Sequence, residues 1–171
     1  MNAPRKIILV MMLLVIGLSC TKDDGYVENP NEEGLTPCPV GSYCSYSYAD
    51  NSEFSDANGQ VGKGNSRVFS SVISTCLLVY IEAPMNGNDF YIDNTAIQKD
   101  VVKVKNNTTT CFAADLKFKV TGGFSKGKKL KDLLGKEKWL LETELFIAVE
   151  DINYKDTLYV KQYYYPKAPN N

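Results

Sequence analysis

The chain has 171 residues, 44% of them hydrophobic, with 19 basic and 20 acidic side chains and no histidine. A net charge of −1 gives no electrostatic footprint for nucleic acid. The missing histidine removes the commonest general base, triad relay and metal ligand, so an enzyme is not expected and no cofactor or metal is implied. In chain order, Arg5 and Lys6 come first, then an apolar run from Ile7 to Leu18, then Ser19-Cys20. These are the three parts of an export signal. Twelve residues at about 1.5 Å each make a helix of roughly 18 Å, well short of the roughly 30 Å hydrocarbon core, so a transmembrane anchor is not expected.

A cysteine at the cleavage point separates this signal from an ordinary secretory one. With Gly17-Leu18-Ser19-Cys20, the first 24 residues resemble the start of bacterial lipoproteins. The resemblance implies a signal peptide over 1–19, a diacylglycerol on the Cys20 sulfur, cleavage between Ser19 and Cys20, and acylation of the new amine. Leucine stands one place nearer the cysteine than is usual in the family, whose leucine position holds Gly17 here. Lys22-Asp23-Asp24 resembles the Lys-plus-two-acids export signal of Bacteroidota lipoproteins. It implies a protein held by its lipid on the cell-surface side of the outer membrane. Removing residues 1–19 takes away Arg5 and Lys6 and no acid, leaving 17 basic against 20 acidic residues.

Thr21 to Pro37 carries five acids against one lysine, with Gly25, Pro30, Gly34 and Pro37 and no apolar period. It reads as a disordered tether from Cys20 to residue 37, spanning roughly 20–25 Å as a flexible coil. A single β domain is expected over 38–166, followed by a disordered tail over 167–171. Cys38, Cys44, Cys76 and Cys111 are disulfide candidates in an oxidising compartment. Three pairings are possible, of which Cys38–Cys44 and Cys76–Cys111 are preferred; zinc on all four is disfavoured by the lack of C-x2-C pairs.

From Cys38 the pattern is β. Tyr43 to Tyr48 is short and aromatic, and Asp50 to Ser66 reads as a long loop or irregular hairpin. Arg67 to Glu82 reads as one bent strand or two. Asn86-Gly87 is the strongest short hairpin signal, between Glu82 and the short strand Phe90-Tyr91-Ile92. Val101 to Val104 is another short strand. Cys111 to Val120 and Trp139 to Val149 alternate with period two, and Thr157 to Tyr165 follows as the last strand. Leu130, Leu133 and Leu134, with Gly135, predict a short helix over 128–135. Seven or eight strands argue an all-β antiparallel sandwich, with a small barrel as the alternative.

Tyr46, Tyr48, Tyr163 and Tyr165 are the expected ligand contacts, since tyrosines from the two terminal strands on one face would stack on a glycan or a protein partner. The lysines from Lys126 to Lys138 form a basic segment suited to anionic polysaccharide or lipid headgroups. Acid and amide loops at Asp50–Glu53, Asp56–Gly59 and Asn86–Asp89 lack a full calcium loop, and turn chemistry accounts for them. Glu142 and Glu144 share one strand face and read as solvated carboxylates, with a glycosidase-type pair the remote alternative. The functional expectation is a non-enzymatic, lipid-anchored β domain for adhesion or ligand capture. The alternative is an accessory subunit of an envelope complex.

Overall fold

A computed structural model of the chain describes residues 31–55, 59–74, 76–106, 116–149 and 152–167. Cys20, Lys22, Asp23, Asp24 and Cys111 lie outside them. The strand β8 (Glu137–Val149) shows how the sequence directs the fold. Trp139, Leu141, Thr143, Leu145, Ile147 and Val149 alternate along one face, and all are buried. Burying such a face needs a partner surface, which the rest of the chain supplies by curling around it.

The other strands are β1 (Cys44–Ser55), β2 (Gln60–Lys63), β3 (Ser66–Ile73), β4 (Leu77–Ala83), β5 (Asp89–Ile92), β6 (Val102–Asn106), β7 (Phe118–Lys131) and β9 (Tyr154–Pro166). A short helix α1 (Asn94–Ala96) and an irregular turn (Ile97–Val101) join β5 to β6. The order is β5-β7-β8-β9-β1-β3-β4-β6 in one curled sheet, a half-barrel, with β2 folded back on β1. The fold is all-β, as expected. It is mixed, because β1 and β9 meet in parallel through Ser47↔Tyr165 and Tyr48↔Pro166. One sheet curled over its own inner face does the work that two facing layers do in a sandwich.

Phe69 of β3 sits at the centre of that inner face. Its ring lies 5.4 Å from Phe90, 5.5 Å from Tyr164, 5.6 Å from Trp139 and 5.9 Å from Tyr48, so rings from five strands meet there. Edge-on and tilted contacts of this kind add to the burial term. At the rim of the cluster the buried Arg67 lays its guanidinium 4.4 Å over the Trp139 ring and is paired with Asp50.

Several local expectations change. Lys128–Lys131 is strand, in register with Leu140–Glu137, and the helix expected over 128–135 is absent. Leu133 and Leu134 are exposed, so a helix there would bury no complete apolar stripe, and the long ladder to β8 prevails. Asn86-Gly87 does not close a hairpin, because β5 pairs with β7 and not with β4; the turn carries the chain from one half of the curl to the other. Arg67 to Glu82 is two strands, broken near Ser74 at φ +93°. Of the regular strand expected over Cys111 to Val120, Phe118–Val120 is strand and Leu116–Lys117 is not, and Cys111–Asp115 lie outside the described residues.

The tether also ends earlier than expected. Thr36 N donates to the Lys161 carbonyl at 2.9 Å, Gln162 Nε2 donates to the Thr36 carbonyl at 2.7 Å, and Tyr163 Oη donates to Glu32 at 3.2 Å. Residues 31–36 are therefore fastened along β9. Cys38 and Cys44 form a disulfide with Cα atoms 5.8 Å apart. Cys76 is also disulfide-bonded.

The β7–β8 hairpin bends at a bulge between Val120 and Gly122. Gly123 follows at φ +125°, and a Cβ there would run into the Glu144 carbonyl. Both the backbone conformation and the close approach require glycine. Gly123→Ala is expected to lower stability by about 2–4 kcal/mol, measured by urea unfolding. A loss under about 0.5 kcal/mol would show that the bulge relaxes freely.

Candidate functional site

Among the described residues the curl does not close. β6 pairs with β4, and β5 covers β7 only from Ser125 to Lys128. Among the described residues, the first half of β7 therefore has no ladder partner on its outer edge. Where β6 and β7 face each other along this seam lies a cleft of about 580 Å³.

Local sequence builds one wall of it. Asp93 caps α1 by accepting Ala96 N at 2.8 Å. The next residue, Asn94, accepts Gly123 N at 3.3 Å and so docks the helix on the bulged part of β7. Ile97 then drops into the core, and Asp100, at φ +66°, turns the chain into β6. Strand alternation does the rest. Val102 and Val104 of β6 face the core, as do Phe118 and Val120 of β7, while Lys103, Lys105 and Lys119 stand between them in sequence.

The cleft thus has an apolar floor and a polar rim. Among the described residues, Lys103, Lys105 and Lys119 line it with one carboxylate, Asp100. Lys103 is 3.2 Å from Asp100, and Lys105 Nζ lies 4.6 Å from the Phe54 ring. Among the described residues the rim carries more lysines than carboxylates beside a low-dielectric floor, which favours an anion. The size falls within the range of small-molecule sites. Chemically, the arrangement suits a ligand with an apolar body and an acidic group.

Comparison with protein-family models, curated proteins and solved structures finds no match to this chain.

The tyrosines expected to form one contact face are divided by the sheet. Tyr46 and Tyr48 point inward: Tyr48 belongs to the core, and Tyr46 packs edge-on to Tyr164 at 5.5 Å. Burial pushes both hydroxyls above their ordinary value. Tyr163 and Tyr165 alternate with the buried Tyr164 and so point outward. Lys138 Nζ sits 3.6 Å over the Tyr163 ring, and Tyr165 is half-exposed. The reason is parity, since the parallel register sets Ser47, not Tyr48, opposite Tyr165. Tyr48 is withdrawn as a ligand contact.

Glu142 lies between Lys126 at 3.6 Å and Lys161 at 3.9 Å, so it joins three strands by ion pairing. Asp50 to Glu53 lies in β1, where Asp50 pairs with Arg67; Asp56 to Asn58 are outside the described residues. Asn88 gives its carbonyl to Lys129 N at 2.7 Å. The residues that sequence reading missed are those of the cleft. Val-Lys-Val-Lys at 102–105 and Phe-Lys-Val at 118–120 announce half-buried strands, but no local signal tells that their edges face each other.

Proposed function

We propose that the chain is a lipid-anchored protein of the outer-membrane surface whose β domain captures a small amphiphilic anion in the seam cleft. The carrying observation is the unclosed seam, with its apolar floor and lysine-bearing rim. Anchoring at Cys20 and export through Lys22, Asp23 and Asp24 come from the sequence resemblance. Binding without turnover agrees with a chain that has no histidine. Octanoate serves as the test ligand, titrated calorimetrically into the full chain. Lys119→Glu, which reverses an exposed rim charge, and Val120→Trp, which fills the floor, are each expected to weaken binding roughly tenfold, or about 1.4 kcal/mol. Unchanged affinity in both, with circular dichroism also unchanged, would remove the cleft as the site.

The outer edge of β7 favours a second reading. Among the described residues the first half of β7 has no outer ladder partner, so it offers ladder groups to a strand from another protein, as an accessory subunit of an envelope complex would require. Crosslinking in cells from position 119 would then yield one stoichiometric partner, and octanoate would not bind.

A further inference from the structure

At the far end of the β7–β8 hairpin the chain holds two large apolar side chains in water. Leu133 is fully exposed, and Leu134 is 81% exposed. Their presentation is built, because Asp132 Oδ1 accepts both Leu134 N and Lys136 N at 2.8 Å. The Asp132 carbonyl accepts Gly135 N at 2.9 Å, and Gly135 closes the turn at φ +76°. This is a fixed turn with its leucines outward.

Behind them stands the basic segment. Lys128, Lys129, Lys131, Lys136 and Lys138 flank the tip, against only Asp132 and Glu137. Glu137 is taken by Lys129 at 2.7 Å, and the Asp132 carboxylate is engaged by the turn amides. The remaining charge is positive and lies just behind the leucines. Apolar tip first and lysines behind is the arrangement that suits acyl chains below and anionic headgroups above.

We infer that this hairpin tip docks on an anionic membrane surface, with Leu133 and Leu134 entering the acyl region and the lysines at headgroup level. The chain length allows the membrane to be the one that carries the anchor. Cys20 is eleven residues from Asn31, at most about 40 Å of extended chain. Glu32 is held by Tyr163, which pairs with Leu140. The tip lies six residues before Leu140, just past the start of β8, at most roughly 20 Å away. Two leucines alone bind membranes weakly; lysines beside an anionic surface add to that, and an anchor in the same membrane raises the local concentration.

The test uses the full chain with Leu134→Trp on phosphatidylglycerol-containing vesicles whose acyl chains carry bromine. The native Trp139 is buried, so it supplies a low, constant background. Emission of the variant is expected to fall at least about twofold further than that of the parent, and to recover in pure phosphatidylcholine or high salt. Equal quenching in variant and parent would overturn the inference. So would quenching that is as strong in neutral vesicles, or a tip that crosslinks in cells to one protein while staying unquenched by lipid. The mass of the N-terminal peptide reports lipidation at Cys20 separately, so loss of the anchor and failure of the tip are distinguishable.

Discussion

Phe69→Ala is expected to cost about 3–5 kcal/mol, enough to unfold much of the population of a domain whose whole stability is of order 5–15 kcal/mol. The ring is fully buried and touches rings from β1, β5, β8 and β9 at 5.4–5.9 Å. Three of these strands, β5, β8 and β9, stand across the parallel β1–β9 junction from β3. That junction is short, with two register pairs and a hydrogen bond from Lys167 N to the Tyr48 carbonyl at 2.8 Å. The aromatic cluster, more than the ladder, therefore holds the two halves together. Trp139 is the single tryptophan and lies 5.6 Å from Phe69, so its fluorescence reports unfolding directly. Phe69→Leu keeps most of the apolar volume and should lose roughly half as much. A loss below about 1 kcal/mol for Phe69→Ala would show that the cluster is not the keystone.

Stability should also fall steeply at alkaline pH. Tyr164 is buried, and its hydroxyl lies 2.5 Å from Ser71 Oγ. Burial pushes its ionisation well above the ordinary value of 10.0, with the Ser71 hydrogen bond pulling back in part. A folded-state value above the unfolded one means that stability is complete below about pH 10. Above that the unfolded chain gives up its proton first, and stability drops by up to about 1.4 kcal/mol per pH unit from this one group. Tyr46 and Tyr80, also raised by burial, act in the same direction. Tyr164→Phe should flatten the curve above pH 10. At neutral pH it should cost about 1–2 kcal/mol, because the Ser71 hydroxyl is left without its partner. Urea midpoints measured on both proteins across neutral and alkaline pH decide it; parallel curves would contradict the assignment to Tyr164.

What could be read from the sequence was what depends on neighbours along the chain. The alternation of Trp139 to Val149 gave both the strand and its buried face, because a period of two survives any arrangement of partners. The Cys38–Cys44 bridge was legible for the same reason, being closed within six residues. The helix expected at 128–135 failed because a one- or two-turn helix is marginal and a ladder to β8 was available. The tyrosine platform failed on parity between the first and last strands, which only the parallel β1–β9 register determines. The cleft lay beyond reach for the same cause: β6 and β7 face one another only after seven other strands have taken their places. Its residue types were visible, and their meeting was not.

Amide hydrogen exchange along Phe118–Thr121, with and without octanoate, tests the open seam most directly. An open seam predicts fast exchange at the outer-edge amides of this segment, slow exchange through the centre of β8, and slowing at the seam alone when octanoate is added. Seam amides already as slow as those of β8, and unmoved by octanoate, would mean a closed barrel with no cleft and would contradict the account.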